Sequence, residues 1–165
     1  MPLRSNWMRA IALGTAIVAL TGVALAAPVA VLRVVSQISD RTHIVPLADG
    51  EHYEYSYQQS IYQVPVVEEH VRNGDTLSIV RVRSRDRRAV EYFRWDGEIR
   101  REGDEFVQDA PPNHVAALTI RITTEGTQRL RGAGFDIFLR DEFGETVVTV
   151  TTQYVPRLLT LLGHP

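Results

Sequence analysis

The chain has 165 residues, 44% hydrophobic and 23% charged, which suits one globular body with a short appendage. It has no cysteine, which excludes thiol nucleophiles, cysteine zinc sites and disulfide frameworks. All 18 basic residues are arginine, so lysine Schiff-base chemistry and a Walker-type phosphate loop are excluded as well.

Between Arg9 and Arg33 lie 23 residues without a charge, "AIALGTAIVALTGVALAAPVAVL". As a helix this run would extend about 34 Å, enough to cross the hydrocarbon core of a bilayer. Residues 1–33 are therefore expected to form a signal anchor or signal peptide. In the anchor reading, residues 10–32 pass once through the cytoplasmic membrane. Arg4 and Arg9 keep the N-terminus in the cytoplasm and the C-terminal domain lies outside. The alternative is export followed by cleavage near Ala26, because Ala24-Leu25-Ala26 has the small-x-small pattern of a processing site. Against cleavage stands the apolar "APVAVL" that follows, which a new N-terminus would leave in water.

Residues 34–50 have weak periodicity and end in a turn signal, which predicts a tether with a short strand at its end. From there the period changes to two, and residues 51–165 read as an all-β, antiparallel sandwich of seven to nine short strands. Tyr53, Tyr55 and Tyr57 alternate with polar residues and mark a first strand with an aromatic, core-facing side. "TLSIVRVRS" (76–84), the aromatic run "AVEYFRW" (89–95) and "VAALTIRITT" (115–124) continue the pattern. Pro111 and Pro112 cannot sit inside a ladder and are expected to carry the chain between two groups of strands. "GFDIFLRD" and "ETVVTVTTQYV", joined through "DEFGE", predict a closing hairpin. The C-terminal "RLLTLLG" is too short to span a membrane and reads as a last apolar segment packed on the body or lying on a bilayer.

The residues able to carry chemistry are few. Ser60 and His70 could serve a hydrolase as nucleophile and base only if the intervening turn brought them together, and no glycine-flanked serine elbow is present. In the strand that starts at Pro65, alternation sends Glu68 and Glu69 to opposite faces, so they are not expected to act as a carboxylate pair. Arg81, Arg83 and Arg85 alternate onto one strand face, which could bind a small anionic ligand or an anionic lipid. The five histidines have no metal-ligand spacing, and neither a metal nor a cofactor is expected. Beyond Arg9, 16 arginines stand against 20 acids, a net charge of −4, so nucleic acid is not an expected partner.

The stretch "YEYSYQQSIYQVPVVEEH" resembles the N-terminal signature of a bacterial and archaeal family known only as an exported domain of unknown function. Its members are often encoded beside TAXI-type TRAP transporters. Ser60, Ile61, Pro65, Val66 and Glu68 or Glu69 match its pattern, while Gln59 stands where the family has histidine. The family's Gly-Ala-Gly segment has no counterpart in "SRDRRAVEYF", whereas "QRLRGAGFDIFLRDEFGETVVTV" is similar to its closing hairpin. The resemblance implies a non-enzymatic accessory of a TRAP-type solute transporter. The implied partners are the transporter's membrane subunits or its substrate-binding protein. An extracytoplasmic module for an anionic ligand and a hydrolase using Ser60 and His70 are the other two readings.

Overall fold

The computed structural model describes Ile11, residues 13–15 and residues 21–161. Residues 21–26 are helical and largely exposed, and the helix stops where Pro28 removes a donor and biases Ala27 away from helical geometry. The chain passes at once into β1 (Pro28–Ser36), where Val31, Leu32 and Val34 are fully buried. β1 pairs on one side with β2 (Thr42–Pro46) and on the other with β11 (Val147–Pro156), which also pairs with β8 (Ala117–Arg121). These strands form a four-stranded antiparallel sheet in the order β2-β1-β11-β8.

The second sheet has seven strands. β3 (His52–Gln59), β4 (Val64–Asn73) and β5 (Thr76–Ser84) form its middle. β6 (Arg100–Glu102) and β7 (Glu105–Asp109) extend it on one side, and β9 (Arg129–Gly132) and β10 (Phe135–Phe138) on the other. Every pairing is antiparallel, in the order β10-β9-β3-β4-β5-β7-β6. The described residues thus form an all-β body of two sheets and eleven strands, more than the seven to nine expected. The strands not read in the sequence are β1, cut from the presumed leader, and the short β6, β7 and β9.

Two hydrophobic clusters stabilise the body. The larger joins Leu32, Val34, Ile120, Val148 and Val150 of the four-stranded sheet to Tyr53, Leu77, Leu130 and Ile137 of the seven-stranded sheet. The smaller consists of Val66, Val82, Ala89 and Val90, with half-buried aromatic residues packed around it. It lies under a single helical turn, α1 (Arg87–Glu91), which is capped by the Asp86 carboxylate accepting from the Arg88 N–H at 2.9 Å.

Several expectations are corrected by this arrangement. Residues 34–50 are not a tether, because β1 and β2 place Val34, Val45 and Leu47 in the main cluster. The membrane span expected over residues 10–32 cannot include Pro28–Leu32, which belong to β1. Residues 1–10, 12 and 16–20 of the leader lie outside the described residues. No helix among the described residues is long and apolar enough to cross a membrane.

The closing hairpin does not form either. β10 and β11 belong to different sheets, and "LRDEF" between them is a helical turn, α2 (Leu139–Phe143). Leu139 and Phe143, four residues apart, both turn into the core, a helical spacing that outweighs the turn signal of Gly144. "AVEYFRW" is likewise α1 and the loop after it rather than a strand. A third turn, α3 (Arg157–Leu161), follows β11 with Leu158, Leu159 and Leu161 exposed. The role expected of Pro111 and Pro112 is observed, since they lie between β7 in one sheet and β8 in the other.

Candidate functional site

β4 carries Pro65, Glu68, Glu69 and His70 of the residues singled out in the sequence, and strand alternation divides them between two environments. Cross-strand register sets His70 against Tyr53, Glu68 against Tyr55 and Val66 against Tyr57, all on the inner face. Here the Tyr53 and His70 rings stack at 5.1 Å and Tyr55 and Tyr57 at 4.9 Å. Glu68 Oε2 lies 3.1 Å from His70 Nε2. Burial, reinforced by the Glu68 charge, pushes all three tyrosine hydroxyls far above their usual ionisation range. The tyrosine stripe is therefore part of the core, as expected, and it encloses a carboxylate and an imidazole.

Glu69 faces the opposite way, so the two glutamates lie on different faces as the alternation predicted. On the outer face Glu69 receives His52 Nδ1 at 2.8 Å and approaches Arg81 Nε at 3.9 Å. Arg81 also pairs with Asp109 at 3.4 Å. Arg83 is held between Glu54 at 2.6 Å and Glu105 at 2.9 Å. Burial acts to lower the Arg83 pKa, but the hydrogen bonds to Glu105 and Glu54 outweigh it and the pKa rises. Asp109 is held below the usual carboxylate range by hydrogen bonding to Arg100. Arg81 and Arg83 do share a face, but each already engages two carboxylates, so neither offers a free cation to an anionic ligand.

Arg85 does not join them. β5 ends at Ser84, whose hydroxyl donates to the Pro65 carbonyl at 2.7 Å and accepts from the Asp86 N–H at 3.3 Å, turning the chain into α1. An open groove of about 440 Å³ does lie on this side of the sheet, against His52, Glu54, Glu69, Arg131 and Gly132. Its charged groups pair within the fold, Arg131 with Asp136 at 3.5 Å and His52 with Glu69.

Ser60 and His70 are not brought together. His70 faces Tyr53, seven residues up β3 from Ser60, which at about 3.3 Å per residue separates them by about 23 Å. Ser60 is exposed in the β3–β4 turn, with Pro65 exposed just beyond it. Gln59 and Gln63 order that turn: Gln59 Oε1 accepts from the Tyr62 N–H at 2.8 Å, and Gln63 Nε2 donates to the Ser60 carbonyl at 2.6 Å. Among the described residues, no cluster of three or more histidine, aspartate or glutamate side chains could hold a metal ion. No family model, curated protein or solved structure matches the chain.

Sequence reasoning missed one surface, the rim of the smaller cluster. Tyr57, Tyr62, Phe93, Trp95 and Phe106 pack against it while remaining partly exposed, and Tyr92 is 54% exposed beside them. Arg94 adopts a left-handed backbone (φ 53°), which lets its neighbours Phe93 and Trp95 meet at 4.8 Å. Gln108 fixes this loop by donating to the carbonyls of Trp95 at 3.0 Å and Gly97 at 3.2 Å. Arg88 stacks over Tyr62 at 5.0 Å. Tyrosine, tryptophan and arginine on one partly desolvated patch make up the side-chain set that dominates protein–protein hot spots. The available signal was "RRAVEYFRW" itself, which gathers three arginines and three aromatic residues within nine positions.

Proposed function

We propose that this protein is a non-enzymatic, extracytoplasmic β-domain that acts by docking a partner protein on the aromatic–arginine rim formed by Tyr62, α1 and residues 92–95. The exposure of Tyr92 next to Phe93 and Trp95, over a cluster covered by only one helical turn, carries this reading. Internal pairing of Arg81 and Arg83 favours it over a small-anion module, and the separation of Ser60 from His70 favours it over a hydrolase.

The resemblance of "YEYSYQQSIYQVPVVEEH" to an exported family encoded beside TRAP transporters nominates the partner. It is a membrane subunit or the substrate-binding protein of such a transporter. A photo-cross-linking residue at Tyr92, in cells that also carry the transporter, is expected to join the two chains. The same probe at Arg131, on the opposite face of the sheet, should not. Equal yields at both positions, or no transporter adduct at Tyr92, would remove the assignment of this surface.

A further inference from the structure

We propose that the peptide bond between Ala26 and Ala27 is a processing site, cut by a membrane-bound signal peptidase, and that the mature protein begins at Ala27. The inference rests on the proposed export of the body, but it comes from a separate observation, the place where the apolar leader ends and the sheet begins.

Read as sequence, the charge-free run continues to Leu32, and cleavage at Ala26 would strand "APVAVL" in water. In the fold those residues are β1. Val31 and Leu32 are fully buried, Val29 and Ala30 are partly buried, and β1 pairs with β11 from Pro28↔Pro156 through Ser36↔Val148. Even Ala27 is used, since its carbonyl accepts the Arg157 N–H at 2.9 Å. The sheet therefore takes up the chain from Ala27 onward. Just before it, Gly22, Val23, Ala24 and Ala26 are exposed, Val23 by 72%, and Leu25 is partly buried.

The same boundary weakens the alternative of a permanent anchor. Without Pro28–Leu32 the charge-free run is residues 10–27, which as a helix extend about 27 Å, at the short end of what crosses a hydrocarbon core of roughly 30 Å. No linker remains between such a helix and β1. The run instead has the three parts of a cleaved leader: basic Arg4 and Arg9, an apolar stretch over residues 10–21, and Ala24-x-Ala26 after Gly22. Only small side chains at Ala24 and Ala26 suit the shallow subsites of such a peptidase, whereas Leu25 between them is unconstrained. In the reaction, water adds its hydroxyl to the Ala26 carbonyl carbon, the bond to the Ala27 nitrogen breaks, and that nitrogen takes up water's remaining proton and leaves as the new amino terminus.

The test uses the full chain expressed in bacterial cells, read by intact mass and N-terminal sequencing after fractionation. The expected product starts at Ala27, has lost residues 1–26, and is released with the extracytoplasmic soluble fraction. Ala26→Leu is expected to abolish processing and leave the chain full-length in the membrane, while Leu25→Phe is expected to process normally. Both positions precede the sheet, so neither variant should perturb the fold. A protease-accessible body that remains full-length in wild type would overturn the cleavage site and leave export standing. A full-length chain that protease reaches only after lysis would overturn both. Processing at another bond, unaffected by Ala26→Leu, would overturn the site alone.

Discussion

The inner face of the seven-stranded sheet is covered in two ways. Over β9, β3 and the turn-proximal part of β5 lies the four-stranded sheet, and the core between them is mainly aliphatic and closed. Over β4, β5 and β7 near Val66, Val82 and Phe106, the described residues supply α1 and its loop in place of a second sheet. A sheet offers a continuous apolar surface for side chains to interlock with, whereas a five-residue helix buries just Ala89 and Val90. The remaining area is filled by tyrosine, phenylalanine and tryptophan, which cover apolar surface while leaving an edge in solvent. One side is therefore built for stability, and the other combines stability with an available surface.

Substitutions on the two sides should separate these roles. Leu32→Ala, in the closed cluster, is expected to cost about 2–5 kcal/mol, since neighbouring strands cannot move in to fill the space. Val90→Ala, under α1, is expected to cost about 1–2 kcal/mol, because the helical turn and aromatic rim can settle toward the sheet. Denaturant midpoints at constant m-value would measure both. A Val90→Ala loss as large as that of Leu32→Ala would mean the smaller cluster is as closed as the larger one.

The polar centre between the two clusters responds to pH. Tyr53 is buried, and burial followed by the Glu68 charge raises its pKa. An acid whose pKa is raised by folding stabilises the fold fully below its unfolded value, near 10, and loses that contribution as pH rises above it. Tyr53 alone should lower stability by about 1.4 kcal/mol for each pH unit above about 10, with half-buried Tyr55 and Tyr57 adding to the trend. Tyrosinate absorbance is expected to appear together with unfolding rather than before it. Tyr53→Phe should flatten the alkaline slope with little loss at neutral pH, because no described residue hydrogen-bonds the buried Tyr53 hydroxyl. Tyrosinate formation well below the unfolding transition would show that the stripe is wetter than its packing indicates.

Much of this was legible in the sequence, for reasons that also explain what was not. Alternation placed Tyr53, Tyr55 and Tyr57 inside, and it sent Glu68 and Glu69 to opposite faces, because a strand has a fixed period of two. The β4–β5 turn was legible from "NGD", where Gly74 adopts φ 58°. β1 was hidden because "PVAVL" continues the apolar leader without a polar break, so composition alone could not tell bilayer from core. The course of β5 was obscured by a bulge: register shifts between Glu69 and His70, and Leu77 and Val82 both face inward despite opposite parity. Arg72 also gave no warning. It is fully buried without a carboxylate in hydrogen-bonding reach, donating instead to the carbonyls of Leu47 at 2.7 Å and Gly74 at 2.8 Å under the Tyr154 ring. No pattern rule assigns an arginine to the core when one partner is a main-chain carbonyl 25 residues away.

The outer face sharpens the comparison at the smallest scale. Arg83, Glu54 and Glu105 are each about a third exposed, so water and salt screen their attraction. A double-mutant cycle combining Arg83→Met with Glu105→Gln is expected to give a coupling of about 0.2–1 kcal/mol, diminishing in high salt. On the same face the lowered pKa of Asp109 has the opposite sign from the tyrosines. Its contribution is present above the unfolded value, near 4, and is lost as pH falls through the lower folded value. Asp109→Asn should therefore reduce the acid sensitivity of the midpoint without changing its alkaline slope, and Tyr53→Phe should do the reverse. If either substitution moved both limbs, the inner and outer faces would be coupled through the sheet, contrary to the separate environments that alternation along β4 and β5 creates.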